Sequence, residues 1–345
     1  MVLIGAPAPV GVVLVNWNRW RDTVEALESL LRSSVPVRIV VVDNASADGS
    51  LDQIEAWARG DLAAEPASPV MARFSSPAQP KPVALRRLGP DNLAAAVSQP
   101  GDGITLVDSG GNLGFAGGNN IGLKLLLTDP AIDCFWLLNN DTVVEADTAE
   151  KLAVTMAATP AIGICGTVVR FYWSPDLVQA LNGYRFNVWT GDGAAIHNRL
   201  PATTPFDAAD VAAATDFVLG ASLAVSRAFL RGVGLMEEGY FLYFEEIDWA
   251  VRNRRRGNAR FATGFAAAAT VYHKEGGSIG SSGVKGQRSV MADYWLNRSR
   301  LAFIRRHYPW LLPWHWLFTL ALVGRRLLRR QPEKALVILK ALTGG

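Results

Sequence analysis

Three groups of side chains in this 345-residue chain have the types and spacing for chemistry. Asp141 closes the apolar run Cys134–Leu138, behind Asn139 and Asn140. A carboxylate at a strand end can bind Mg2+ or Mn2+ and leave positions open for phosphate oxygens. It can equally cap a helix expected over Glu145–Ala158. His273 closes a second run, Ala266–His273, and is either a structural histidine or a second ligand through its neutral imidazole. Glu245, Glu246 and Asp248 follow the aromatic stretch Tyr240–Phe244. At a helix start Glu245 and Asp248 share a face, and acids in a first turn also suit the helix dipole. Aromatic walls desolvate a carboxylate and raise its pKa, as a general base at neutral pH requires.

The elements that must position these groups alternate in type. Val10–Val15, Val37–Val42, Ile104–Val107, Cys134–Leu138 and Ile162–Val168 are short apolar runs that read as strands. Thr23–Leu31, Leu51–Trp57, Asn119–Leu127 and Glu145–Ala158 carry helical spacing between them. Continuous apolar strands alternating with helices predict an α/β fold with a mostly parallel sheet covered on both faces. In such a sheet, ligands bind beyond the carboxyl ends of the strands. Those ends carry Asn16–Trp17–Asn18, Asp43–Asn44, Asp108 and Asn139–Asn140–Asp141, which together outline a cleft. The glycine cluster Gly110–Gly118, with Gly117 near its end, permits a close approach of backbone to ligand or simply a tight strand-to-helix connection.

The second half is less regular. Phe171–Asp210 reads as long aromatic loops, and Phe217–Val225 as one strand followed by a helix at Arg227–Gly232. Helix is predicted over Glu246–Arg256, and a glycine-rich loop over Gly276–Gly286. Residues 60–103, rich in Ala and Pro, read as a variable insertion or surface excursion. The boundaries drawn are a catalytic domain over 8–290 and a basic, aromatic helical extension over 291–345.

Composition narrows the function. Half the residues are apolar and 19% are charged, which excludes a disordered chain or coiled coil. A formal charge of +3 provides no field for nucleic acid, so no nucleic-acid partner is expected. Two cysteines, Cys134 and Cys165, lie in apolar runs; they are too few for a disulfide scaffold and read as buried thiols in a reducing compartment. The N-terminus lacks a basic start and is not read as a signal peptide. There is no GxxxxGK[ST], and no GxGxxG follows the first strand. From Asp293 to Glu333 no acidic residue intervenes, while eight arginines and four of the eleven tryptophans do. Tyr308–Gly324 is uncharged but short for a membrane span, and is interrupted by Pro309 and Pro313. Flanking arginines and Trp310, Trp314 and Trp316 predict an interfacial or re-entrant helix on a membrane surface, with packing on the domain or a homodimer contact as the alternative.

The segments VVLVNWNRW, VVVDNASADGS, NLGFAGGNNIGL, LLNNDT, FLYFEEIDWAVRNRRRG and HKEGGS occur in the order found in family 2 inverting glycosyltransferases, which the chain resembles from about Val10 to Arg306. The likeness is greatest to the bacterial rhamnosyltransferase-like and galactofuranosyltransferase-like branch. It implies a GT-A fold and a nucleoside-diphosphate sugar donor, with a rhamnose-like sugar as the leading candidate. The acceptor implied is a hydroxyl of a glycan or lipid-linked molecule, and the cofactor a divalent metal, Mg2+ or Mn2+. Carried over, Asp43 binds the nucleoside base or ribose; Asn16, Trp17 and Asn112 line that pocket, with Gly117 and Asn140 beside it. Asp141 matches the last carboxylate of the metal motif and His273 the histidine that reaches metal and diphosphate. Glu246 matches the catalytic base, with Glu245 and Asp248 assisting. Two positions depart from the pattern: Asn139 stands where the metal motif usually has Asp, and Glu245–Glu246 where the acidic motif is usually Glu-Asp. The resemblance implies a single in-line displacement, with the cation taking the leaving group's charge and the base the acceptor's proton. Two rival readings are a non-catalytic sugar-nucleotide binding protein and a nucleotidyltransferase. The implied location is cytoplasmic, peripheral on the inner face of the cell membrane.

Overall fold

A computed structural model describes residues 8–92, 103–255, 261–275 and 289–343. The first half follows the alternation of the sequence. Strand β1 (Val10–Asn16) leads to helix α1 (Trp20–Leu30), β2 (Val37–Asp43) to α2 (Ser50–Arg59), then β3 (Leu85–Leu88), β4 (Ile104–Asp108), α3 (Gly114–Leu126) and β5 (Cys134–Asn139). β3, β4, β2, β1 and β5 lie side by side in that order, all parallel. The runs of β1, β2, β4 and β5 are predominantly apolar because both faces are covered, whereas β3, with Arg86 and Arg87, lies at the sheet edge. Val10, Val12 and Leu14 pack under α1 and α2, against Leu27, Leu30, Ile54 and Trp57. Val13, Val40 and Val42 point the other way, toward Ala116 and Leu123 of α3.

Register brings the strand ends level. Asn16 pairs with Asp43, Asp43 with Asp108, and Val15 with Asn139. The polar residues expected at the rim therefore form one row.

Beyond β5 the sheet turns antiparallel. The elements are β6 (Thr142–Val144), α4 (Thr148–Ala158), β7 (Ile162–Phe171), β8 (Ser174–Leu181), β9 (Gly183–Asn187), β10 (Asp192–Ala195), α5 (Ala208–Ala214), β11 (Phe217–Val218), β12 (Ser222–Ser226), α6 (Arg227–Val233), α7 (Glu245–Arg255) and β13 (Ala262–His273). β12 runs antiparallel between β5 and β7, and β13 lies parallel to β7. β6 pairs with the last residues of β13, Thr142 opposite His273. That pairing carries Asp141 to His273.

Four sequence expectations are corrected. Phe171–Asp210 is not loop alone but carries three strands: β8 pairs with β7, and β9 with β10 and β11 in a small second sheet. These strands are half-exposed and held by aromatic contacts such as Tyr184 on Phe217, so no continuous apolar run announces them. Phe217–Val225 is two strands in different sheets, broken at Leu219–Ala221. Helix α3 begins at Gly114, inside the glycine cluster, and α4 begins at Thr148, because Thr142–Val144 is drawn into the sheet. The insertion is anchored, not a bare excursion. β3 extends the sheet, Met71 is fully buried, and Glu28 beneath it accepts from Gln79 N and Lys81 Nζ at 2.7 and 3.0 Å. Residues 93–102, and the expected loop at 276–286, lie outside the described residues. Cys134 and Cys165 are buried free thiols, and burial pushes both pKa values up, Cys165 to about 12.

The chain ends in α8 (Val290–His307), α9 (Leu312–Leu328) and α10 (Pro332–Thr343). Phe303 and Ile304 of α8 share a core with Tyr240, Phe244, Ile247 and Val251, so α8 packs on the segment that carries the acidic cluster. Among the described residues no helix is long and apolar enough to cross a membrane.

Candidate active site

A cavity of about 500 Å3 opens at the sheet rim. Trp17, Asn112, Asn140, Asp141, Glu245, Glu246 and His273 line it, seven of the side chains singled out in the sequence. Two titratable pairs dominate its walls.

The first pair ends the sheet. Asp141 and His273 are buried, with Oδ1 and Nε2 3.1 Å apart. The ring's other nitrogen, Nδ1, lies 3.0 Å from Gln179 Oε1, which fixes the ring plane. The backbone closes the arrangement: Lys274 N donates to Asp141 O at 2.9 Å. Lys274 Nζ reaches beneath to Asp22 and Glu25 at 2.5 and 2.6 Å. Burial raises the Asp141 carboxyl, but His273, then Lys274 and Arg19, outweigh it and hold it below its ordinary value. Burial likewise lowers His273, and Asp141 reverses that and raises it. Asp141 is thus kept ionised by its neighbours, and does not cap α4, whose N-terminus lies at Asp147. A carboxylate oxygen and an imidazole nitrogen facing one cavity are a donor set that suits a divalent cation, with most of the coordination left to a ligand.

The second pair starts α7. Glu245 is 1% exposed and its Oε1 has no hydrogen-bond partner among the described residues. Burial, then Glu246 and Asp248, push its pKa well above the ordinary range. Glu246 is half-buried in the wall, and desolvation lifts it to about 7. Its carboxylate fills the space beside Gly220, where an added Cβ would lie 1.9 Å from Glu246 Oε1.

The approach to this helix is strained. Phe241, Tyr243 and Phe244 all have positive φ, 66°, 66° and 74°. Each left-handed non-glycine residue costs roughly 1–3 kcal/mol and persists only where neighbours impose it. Here Ser299 Oγ lies 2.9 and 2.8 Å from the carbonyls of Tyr240 and Leu242, and Phe115 N donates to Phe241 O at 2.8 Å. Gly114 makes that approach possible, since a Cβ there would meet Phe241 O at 2.1 Å.

Four expected site residues are not among those lining the cavity. Asp248 accepts from Tyr240 Oη at 3.1 Å, His307 Nε2 at 2.6 Å and Arg252 Nε at 2.5 Å. Burial works to raise its pKa, but His307 and Arg252 hold it low, and it locks α7 to α8. Asp43 is 1% exposed and accepts from Asn16 Nδ2 and Ser46 Oγ at 2.6 Å each. Asn16 is fully buried, and its Oδ1 accepts from Thr23 Oγ1 at 2.8 Å and from Asn140 Nδ2 at 3.2 Å. The pair orients Asn140 at the wall from behind. Gly117 packs on Leu113, whose Cβ would lie 2.6 Å from an added one.

Sequence reasoning missed Gln179, Tyr184, Gly220 and Glu275 on the walls. Gln179 and Tyr184 sit in the stretch read as loop and carry no local signal. Glu275, two residues past His273, was within reach of a motif-based reading.

Fold and site together define an α/β GT-A architecture with a cation-suited pair facing a pair of high-pKa carboxyls. Residues 89–217 match the family model described as Glycosyl transferase family 2. The chain is 27% identical over 172 residues to the low-salt glycan biosynthesis hexosyltransferase Agl10 of Haloferax volcanii, covering 45% of this chain and 47% of that protein. The chain therefore spans about half the length of this curated relative. Among solved structures it resembles GalNAc-T7 with UDP, GalNAc and Mn2+, at 12% identity and a TM-score of 0.50, over 85% of this chain and 47% of the other. It also resembles the mannosyltransferase PcManGT of Pyrobaculum calidifontis in complex with GDP-Man and Mn2+, at 14% identity and a TM-score of 0.47, over 99% of this chain and 77% of the other.

Proposed function

We propose that the protein is an inverting glycosyltransferase that moves a sugar, rhamnose-like by the sequence resemblance, from a nucleoside-diphosphate donor to a hydroxyl of a glycan or lipid-linked acceptor. One observation carries the reading: a single cavity holds the Asp141–His273 pair, its carboxylate kept ionised, and the Glu245–Glu246 pair, whose pKa values are raised. Transfer from a nucleotide sugar needs charge stabilisation at the leaving diphosphate and a proton acceptor at the incoming hydroxyl.

Asp141, and His273 once its Nε2 proton is given up, would hold a divalent cation, Mg2+ or Mn2+, which when bound supplies positive charge to the diphosphate in place of the protonated ring. The structural neighbour GalNAc-T7, solved with UDP, GalNAc and Mn2+, supports that chemistry. Gln179 keeps the His273 ring in its plane. Trp17, Asn44, Asn112 and Asn140 offer a ring and amides to the nucleotide, with Asn16 and Asp43 fixing Asn140 from behind. Glu246 takes the acceptor proton: its pKa near 7 matches a base working at neutral pH. Glu245 beside it has its pKa raised by burial and by Glu246, which disfavours a second charge at the helix start.

The test is incubation of the full chain with a panel of nucleotide sugars in Mg2+ or Mn2+, reading product by chromatography. Release of a nucleoside diphosphate with net inversion at the sugar is expected. Release of pyrophosphate would point to a nucleotidyltransferase, and donor binding without turnover to a binding protein.

A further inference from the structure

Helix α9 is built inside out. Its polar residues face the domain: His315 and Thr319 are fully buried, with His315 Nε2 2.9 Å from Val188 O and Thr319 Oγ1 accepting from Arg300 Nη2 at 2.7 Å. Arg326 forks onto Asp293 at 2.6 and 2.9 Å. Its apolar residues face outward: Trp316 is 51% exposed, Leu317 64%, Leu320 50% and Leu328 88%. A helix of a water-soluble surface shows the reverse pattern. Leu336 and Leu339 of α10 are exposed as well, and Trp310 just before α9 is 69% exposed. A contiguous apolar surface of this kind marks an interaction site.

We propose that the outer face of α9 and α10 seats the protein on an anionic lipid surface, with α9 lying in the headgroup plane. Charge and residue type select this occupant. Arg325, Arg329 and Arg330 are exposed at the C-terminal end of the apolar strip, and no acidic residue occurs between Asp293 and Glu333. Basic side chains beside an apolar face, with tryptophans at its other end, match the boundary between phosphate headgroups and acyl chains. At 17 residues α9 spans about 25 Å. It is not long and apolar enough to cross a bilayer, and no helix among the described residues is. One hairpin joins α9 to the cavity: Val188 O and Trp189 O accept from His315 Nε2 and Trp314 Nε1 on α9, while Gly191, Asp192 and Gly193 line the cavity. If the proposed transfer reaction holds, a lipid-borne acceptor meets the cavity at the membrane surface.

The experiment is co-sedimentation of the full chain with vesicles of phosphatidylcholine alone or mixed with phosphatidylglycerol, at low and high salt, without donor or acceptor. The full chain should pellet with the mixed vesicles at low salt and release as salt rises. The double variant Leu317→Glu/Leu320→Glu should remain in the supernatant. Both side chains are exposed, so its circular dichroism and melting should match wild type, as should turnover on a water-soluble acceptor. Arg329→Gln/Arg330→Gln should lower partitioning by roughly thirtyfold, the share of two basic residues. The proposal is overturned if the full chain ignores anionic vesicles at low salt, or if the leucine variant pellets like wild type. It is also overturned if light scattering shows a dimer that the leucine variant dissolves, since a second copy then covers the face. Vesicle binding is read without catalysis, so its failure is separable from failure of the glycosyltransferase reading.

Discussion

The two walls of the cavity carry the same kind of side chain in opposite states. Asp141 and Glu246 are both carboxylates withdrawn from water, and burial pushes both toward the neutral form. At Asp141 three cationic neighbours, His273, Lys274 and Arg19, reverse the push. At Glu246 none does; its neighbour Glu245 is another carboxyl. Asp248, two residues on, repeats the Asp141 solution with Arg252 and His307. Burial is common to all three, so the neighbouring charges set them apart, in line with the proposed roles of charge-bearer, base and structural anchor.

The largest expected effect removes the charge-bearer. Asp141→Asn leaves His273 without its counter-charge and should lower kcat by about 10⁴-fold, the several kcal/mol of a cation's contribution. Titrating the variant with Mn2+ should show weakened activation. Metal-independent activity equal to wild type would place the charge stabilisation elsewhere.

Next is the base. Glu246→Gln should cost roughly 10²–10⁴ in kcat with donor affinity kept. A base is active when ionised, so wild-type kcat/KM should fall about tenfold per pH unit below about 7 and level off above it. The residual activity of Glu246→Gln should not follow that limb. A dead Glu245→Gln beside an active Glu246→Gln would move the base one residue back.

Gly220→Ala sharpens the comparison without touching charge. The new methyl would sit in the space of Glu246 Oε1 and push the carboxylate out of line. A displacement of about 1 Å can cost roughly 10²-fold, so kcat should fall by about that factor while the donor dissociation constant, measured calorimetrically, stays put.

The smallest catalytic effect belongs to Asp248→Asn. Breaking its buried contacts with Arg252 and His307 should lower stability by about 3 kcal/mol. Folded protein should still turn over within a few-fold of wild type, with the loss read from denaturant unfolding. A large drop in kcat at full folding would restore Asp248 to the reaction.

Much of this was legible in order along the chain. The runs that became β1, β2, β4 and β5 are predominantly apolar, because strands covered on both faces need apolar residues at most positions. Parallel register then makes a row of strand ends, so Asn16, Asp43 and Asn139 could be placed on a rim from spacing alone. Glu245, Glu246 and His273 stood out because charged or titratable groups close apolar runs. The segment around Gln179 gave no such signal. Its strands are half-solvated, and the partner of Tyr184, Phe217, is distant in sequence.

By itself the sequence determined the parallel core of the sheet, its rim and the carboxylates available there, since local apolar periodicity and strand-end residue types are properties of short windows. Only the tertiary structure decided which carboxylate is ionised, because His273 and His307 reach Asp141 and Asp248 through contacts between distant elements. It also decided that Asn16 and Asp43 stand behind the wall they were expected to form, their side chains spent on each other and on Thr23 and Ser46. And it decided the direction of α9: the tail's arginines and tryptophans are plain in the chain, but the docking of His315, Thr319 and Arg326 against the domain turns the apolar face outward.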